Sequence, residues 1–226
     1  MRKIVTNTFM TLDGVMQAPG GPQEDPTGGF RWGGWAVNYF DDTMPKNMGE
    51  FMAKPFDLLL GRRTYEIFAA HWPYAKDDSF ADGLNKAKKY VVSKTLDAVN
   101  WNNSTLIIGD VVIKIEKLKE ADGPELQVHG SGNLIQTLLK NDLIDVFRIM
   151  TFPMTIGKGK RLFGEGTQPF AFKLTDSKTS STGVIMATYE RAGEIKTGST
   201  EFDTPTEAEI ARRSHLADEE KAEIKN

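Results

Sequence analysis

The chain has 226 residues, with 28 basic and 31 acidic side chains, a net charge of −3 and no cysteine. This balance argues against an electrostatic nucleic-acid binder and against adsorption to anionic membranes, and the missing thiols exclude disulfides, thiolate metal sites and a cysteine nucleophile. His71, His129 and His215 are far apart and no apolar run reaches the roughly 20 residues of a membrane helix, so a soluble, cytoplasmic protein without a metal centre is expected.

Residues 3–9, rich in β-branched side chains, read as an opening strand. Residues 10–35 are a long loop dense in Gly and Pro, and loops of that length in a compact domain are usually functional or disordered. Its aromatics, Phe30, Trp32 and Trp35, suggest a segment that packs over something. Met44, Met48, Phe51 and Met52 share one face of a helix over 43–53, which Pro55 ends. Residues 56–61 form a buried strand. A second helix carries Tyr65, Phe68, Ala69 and Trp72 inward and stops at Pro73. A short helix over 80–87, strands at 89–93 and 105–108, a helix from Asp110 to about Glu120 and a strand at 126–129 follow.

The next helix carries Leu134, Ile135, Leu138 and Leu139. A long strand then covers 143–152, a glycine-rich loop 153–166, and two strands 168–176 and 183–191, which fit a hairpin. This order predicts one α/β domain over 1–192, with a mixed, mostly parallel sheet flanked by helices and an antiparallel C-terminal hairpin. Residues 193–226 form a charged tail, and Thr206-Glu207-Ala208-Glu209 is a capping-box pattern for a helix over 206–223.

Three strand ends carry polar turns, two of them with glycine, where open α/β sheets bind ligands. Gly61-Arg62-Arg63-Thr64 combines a permissive backbone, a helix start and cationic donors, which suits phosphate. Arginines that merely solvate a helix start would look the same. Ser93-Lys94 offers a hydroxyl and an amine, or a plain polar strand end. His129-Gly130-Ser131-Gly132-Asn133 opens a helix and lets backbone approach a pyrophosphate, although Ile135 stands where a full dinucleotide fingerprint has its third glycine. Together the three turns suggest a ligand with several phosphates lying across the strand ends.

These turns occur in order with Thr11-Leu12-Asp13-Gly14, Tyr90-Val91-Val92-Ser93-Lys94 and the stretch Pro153-Met154-Thr155-Ile156-Gly157-Lys158-Gly159-Lys160-Arg161-Leu162-Phe163. Over residues 2–191 the chain resembles the dihydrofolate-reductase-like family, in the branch similar to the C-terminal reductase domain of the bifunctional riboflavin-biosynthesis deaminase-reductase. The resemblance implies NADPH as cofactor. Gly61, Arg62 and Thr64 would lie along its phosphates, Ser93 and Lys94 by the adenosine 2′-phosphate, and Gly130, Ser131, Gly132, Asn133 and Leu134 around the pyrophosphate. It further implies that the 11–35 loop covers the nicotinamide, that the 153–163 loop lies near it or in a dimer contact, and that the protein is a homodimer acting on a small molecule.

Dihydrofolate reductases place an acid near the start of the first helix, facing the pterin. Here that stretch reads Met44-Pro45-Lys46-Asn47-Met48-Gly49-Glu50, with Asp41 and Asp42 slightly early and Glu50 slightly late. Dihydrofolate itself is therefore not the expected substrate. Asp13 and Glu50 are the leading candidates for the proton donor that reduction of a C=N or C=O bond needs, though Asp13-Gly14 is also an ordinary turn pair. Trp32, Tyr65 and Phe152 are the aromatics assigned to the substrate side, with the core as the competing place for Tyr65. The expected activity is NADPH-dependent reduction of a pterin, pyrimidine or other small heterocyclic or carbonyl compound. A nucleotide-binding dimer without turnover is the alternative.

Overall fold

The computed structural model describes residues 1–165 and 167–223; Gly166, at the end of the expected 153–166 loop, and tail residues 224–226 lie outside the described residues. The chain divides into two compact units, Met1–Glu194 and Ile195–Asn226.

The first unit is built on one eight-stranded sheet. Its strands are β1 (Ile4–Thr11), β2 (Phe56–Gly61), β3 (Lys89–Val92), β4 (Ser104–Ile107), β5 (Glu125–Val128), β6 (Val146–Phe152), β7 (Phe172–Thr179) and β8 (Ile185–Arg191), in the order β4-β3-β2-β5-β1-β6-β8-β7. All pairs from β4 to β6 are parallel, and β8 is antiparallel to both β6 and β7. β2 is buried along its whole length, the pattern of a strand covered on both faces. β7 is the opposite case, an outer strand exposed along most of its length, whose Lys173, Asp176 and Lys178 suit an edge in water.

The helices are α1 (Thr43–Met52), α2 (Arg62–His71), α3 (Ser79–Lys86), α4 (Val111–Glu120) and α5 (Gly132–Lys140). The α5 side chains Leu134, Ile135, Leu138 and Leu139 pack on Ile4, Leu126, Phe147 and Ile149 in one core. A second core joins β2 and β3 to Tyr65, Leu84 and Trp101, and a third gathers Trp35, Met44, Phe152 and Met186.

The long loop after β1 is tied down rather than free. Trp35 Nε1 donates to the Gln17 carbonyl (2.7 Å), and Gln17 Nε2 donates to the carbonyls of Asp25 and Thr27 (2.9 Å each). Lys160 Nζ bonds to Asp25 and, at 3.0 Å, to the Thr27 hydroxyl. The first expected strand of the hairpin starts later than the sequence suggests, at Phe172, and the second ends as expected at Arg191.

In the second unit, α6 (Glu207–Glu223) buries no side chain. Its start is the expected cap: the Glu209 N–H donates to Thr206 Oγ1 (3.2 Å). No helix among the described residues is long and apolar enough to cross a membrane.

Candidate functional site

Parallel strands end on the same side of a sheet, so the turns after β2, β3 and β5 meet at one rim. That rim borders a cleft of about 2010 Å³ in the first unit. Gly61, Arg62, Thr64, Ser93, Lys94, Gly130, Ser131, Gly132, Asn133 and Leu134 all line it.

The two glycine turns are packed face to face. The Gly61 N–H donates to the Gly130 carbonyl (3.1 Å), and the Thr64 N–H donates to Ser131 Oγ (3.2 Å). A Cβ on Gly61 would sit 2.7 Å from Ser131 Oγ, and one on Gly130 would sit 2.5 Å from Thr64 Oγ1. Gly130 also has φ +151°, where side chains are strained. Here glycine is required by the close approach of each turn to the side chain opposite, Ser131 for Gly61 and Thr64 for Gly130.

The helix starts differ in how they are satisfied. Asp78 accepts the Phe80 and Ala81 N–H groups at the start of α3, and Asp110 accepts that of Ile113 in α4. The flanking residues of α2 and α5, Gly61 and Ser131, provide no side-chain cap to their own helix. Apart from the Thr64 N–H, which Ser131 Oγ takes, the two helix starts therefore present first-turn N–H groups and positive dipole ends to the same cleft. Arg62 stands beside them, its Nη1 donating to Thr95 Oγ1 (2.9 Å), with exposed Lys94 on the same wall. This donor set fits a polyanion such as a dinucleotide. Ser93 also shapes the backbone there: its Oγ accepts the Thr95 and Leu96 N–H groups (3.1 and 2.9 Å) and holds the turn that carries Lys94.

The residues expected to act on substrate lie elsewhere. Asp13 is absent from the cleft wall. Its carboxylate accepts the Thr11 hydroxyl (2.6 Å) and the N–H groups of Ile156 and Gly157 (3.1 and 2.6 Å). Those bonds, the Thr11 hydroxyl foremost, hold its carboxyl down to about 2. It clasps two loops together and is a poor proton donor. Glu50 is on α1 but points away from the cleft, where it pairs with Lys178 (2.6 Å). Tyr65 is core: it is buried, and its hydroxyl accepts the Trp101 N–H (3.0 Å). Phe152 is fully buried against Phe9, Trp35 and Tyr39. Trp32 is 64 % exposed and off the cleft wall.

Other side chains form the far half of the cleft. Phe9, Met48, Phe51, Phe68 and Trp72 supply an apolar wall. Across the sheet runs a polar row in register: Asn7 on β1 lies opposite Arg148 on β6, Arg148 opposite Thr188 on β8, and Thr188 opposite Asp176 on β7. Arg148 grips Glu125 with both terminal nitrogens (2.7 and 3.1 Å). Gln127 accepts from Asn7 Nδ2 (3.0 Å) and donates to Glu125 (2.8 Å). His129 Nε2 lies 3.3 Å from Gln127 Oε1; burial, with the Arg148 charge adding, pushes its ring down to about 4, so it is neutral near pH 7. Asn47, on α1, is 3 % exposed and lines the same cleft. Glu24 lies on the wall made by the long loop, its Oε2 accepting the Gly20 and Gly21 N–H groups (2.6 and 3.2 Å). Burial raises its carboxyl above the ordinary range. The signal for Gln127 and His129 was present in β5 and the residue after it, as polar residues at alternate positions along a buried stretch, a pattern that costs free energy unless it is used. Asn47 and Glu24 carried no comparable signal, since both are ordinary choices for a helix and a turn.

Comparison with known proteins bears on the fold and the family. The family model described as RibD C-terminal domain matches residues 2–186. YyaP of Bacillus subtilis is 27 % identical over 198 residues, which cover 85 % of this chain and 96 % of that protein. Among solved structures, dihydrofolate reductase of Enterococcus faecalis in complex with NADP(H) aligns with a TM-score of 0.53 at 13 % identity, over 84 % of this chain and 96 % of that one. The deaminase/5-amino-6-(5-phosphoribosylamino)uracil reductase of Thermotoga maritima aligns with a TM-score of 0.56 at 15 % identity, over 84 % of this chain and 57 % of that one. The mixed, mostly parallel sheet with its antiparallel C-terminal strands is thus the dihydrofolate-reductase-like fold, and the chain belongs to the RibD C-terminal domain family, whose function is of the reductase type.

Proposed function

We propose that the protein is an NADPH-dependent reductase that transfers a hydride to a small heterocyclic or carbonyl substrate. One observation carries this reading: two helix starts that receive no cap from their own flanking residue, α2 and α5, open with Arg62 and Lys94 on one rim of a cleft that elsewhere has an apolar wall. In this reading the pyrophosphate lies at Gly130–Leu134, the neighbouring phosphate region along Gly61, Arg62 and Thr64, and the 2′-phosphate by Lys94 and Arg62, with Ser93 shaping the turn. The nicotinamide supplies the hydride when bound. The chain's own residues orient the reactants and exclude water. Glu24 takes the proton-donor role expected of Asp13 or Glu50, because it lies on the cleft wall and burial keeps its proton to higher pH.

Titration of the pure protein with NADPH and NADH tests the cofactor. NADPH is expected to bind more tightly, Lys94→Ala to weaken NADPH by about tenfold while leaving NADH nearly unchanged, and Arg62→Ala to weaken NADPH more than NADH. Equal losses for both cofactors remove the 2′-phosphate assignment. Glu24→Gln is expected to retain NADPH binding and lower turnover by about a hundredfold.

The resemblance adds a homodimer to the reading, and the sequence features set out above add a cytoplasmic place. A nucleotide-binding dimer without turnover is the second reading. The placement of Asp13 and Glu50 off the cleft favours it. Tight NADPH binding without cofactor oxidation, across dihydropterins, aminouracils and small carbonyls, would establish it.

A further inference from the structure

The neighbours of His129 dictate which of its ring nitrogens carries a proton. Glu125 is gripped by both terminal nitrogens of Arg148 (2.7 and 3.1 Å), and a carboxylate paired in this way accepts hydrogen bonds without donating any. The end of the Gln127 amide that meets Glu125 at 2.8 Å must therefore be its N–H end. Its oxygen faces the other way, where it accepts from Asn7 Nδ2 (3.0 Å) and lies 3.3 Å from His129 Nε2. Two bare acceptors at that distance would repel, so Nε2 holds a proton. Burial, with the Arg148 charge adding, keeps the ring neutral near pH 7, and a neutral imidazole has a single N–H. Nδ1 is left as a bare acceptor.

That acceptor is open. Nδ1 makes no hydrogen bond among the described residues, and it is not one of their sealed polar atoms without a partner, while His129 lines the cleft. The ring is held beside Phe68, with centroids 5.8 Å apart. The chain runs from His129 directly into Gly130, where the pyrophosphate is assigned. The adenosine end is assigned to the turn after β3, and β5 lies on the other side of β2 from β3. The part of a dinucleotide that continues past the end of β5 is therefore the nicotinamide half, whose donors are ribose hydroxyls and a carboxamide N–H. We propose that His129 orients the nicotinamide half of the cofactor by accepting one of these donors at Nδ1, and that the Arg148–Glu125–Gln127 chain fixes the ring in the tautomer this requires. The inference rests on the NADPH reading. It makes His129 a positioning residue and not a proton donor, because its one N–H is spent on Gln127.

The test is NMR of the full chain labelled with nitrogen-15 in its three histidines, His129 being assigned by elimination with His71→Gln and His215→Gln. In the free protein at pH 7, His129 is expected to show a protonated Nε2 and a bare Nδ1. Saturation with NADP⁺ is expected to move the Nδ1 resonance and leave Nε2 nearly in place. Adenosine 2′,5′-bisphosphate, which lacks the nicotinamide half, is expected to move neither. The 2′-phosphate of ADP-ribose separates the two donors: a shift with it marks a ribose hydroxyl, and a shift with NADP⁺ alone marks the carboxamide, either supporting the proposal. By calorimetry His129→Phe, which keeps a ring beside Phe68, is expected to weaken NADP⁺ by about tenfold and adenosine 2′,5′-bisphosphate by less than about twofold. If that variant does not fold, the wild-type spectra decide the matter alone. A protonated Nδ1, an Nδ1 resonance that NADP⁺ leaves in place or that adenosine 2′,5′-bisphosphate moves, or full NADP⁺ affinity in a folded His129→Phe overturns the proposal and leaves the cofactor reading intact. Failure of the wild type to bind NADP⁺ and NADPH overturns the reading beneath it.

Discussion

Two ionisable residues far from their ordinary titration ranges show how position sets chemistry. Lys89 on β3 is fully buried, and among the described residues its ammonium meets only the Asn85 carbonyl (2.8 Å) and the Trp101 ring (4.1 Å). Burial pushes it down to about 8. A folded-state value below the unfolded one means that the unfolded chain binds more protons between pH 8 and 10.5, so folding stability gains as pH rises through that window. Chemical denaturation of wild type and Lys89→Met is expected to show their difference shifting toward wild type by up to about 3 kcal/mol across it. A flat difference contradicts the assignment. Asp13 is the reverse case. Its folded-state value near 2 gives stability that is present above the unfolded value, 3.8, and lost as pH falls toward 2. Partly exposed as it is, it is worth about 1 kcal/mol. Asp13→Asn is expected to lose that amount near pH 7, to converge on wild type near pH 2, and to leave any NADPH oxidation largely intact. A turnover collapse without a stability change would return Asp13 to the chemistry.

At the scale of elements, helix and strand identity was readable because periodicity is local. Met44, Met48, Phe51 and Met52 do share a face of α1, but that face divides: Met44 is core, whereas Met48, Phe51 and Met52 line the cleft. Glu50 is only one residue from Phe51, and a step of about 100° turns it outward to Lys178. Tyr65 at the inward position of α2 is core for the same reason. The turns after β2 and β5 were each recognisable from their glycines, but their contact was not. Gly61→Ala is expected to force the Gly130–Ser131 turn away from α2, to cost about 1–3 kcal/mol in stability, and to weaken NADPH binding by about tenfold or more. Thermal unfolding and titration of the same sample check both. A stable variant with normal binding would show that the close packing of the two turns is not needed.

At the scale of the molecule, the two units make different claims on the sequence. The first holds the sheet and the three apolar cores, and the second carries the charged helix α6 and has no buried side chain among the described residues. We infer that the first unit is the folding and binding unit. A chain ending at Glu194 is expected to unfold within a few degrees of the full chain and to bind NADPH equally well. Loss of the cooperative transition on truncation would give the tail a structural part. Light scattering on both forms also reads the expected homodimer mass directly.

The sequence by itself determined the order of the elements, the three polar turns on the rim, two of them with glycine, and the capped start of α6. Each follows from the conformational preferences of a few adjacent residues, which tertiary context did not override. Tertiary structure alone decided which polar groups face the cleft. Asn7, Asn47, Arg148 and Gln127 come from four elements, and their register depends on strands that pair in the order β5-β1-β6 rather than in chain order. It also removed Asp13, Glu50, Trp32, Tyr65 and Phe152 from the wall. A side chain's direction depends on what packs against its element, and the partners that fixed these directions, Gly157, Lys178 and Trp101 among them, lie tens of residues or more away along the chain.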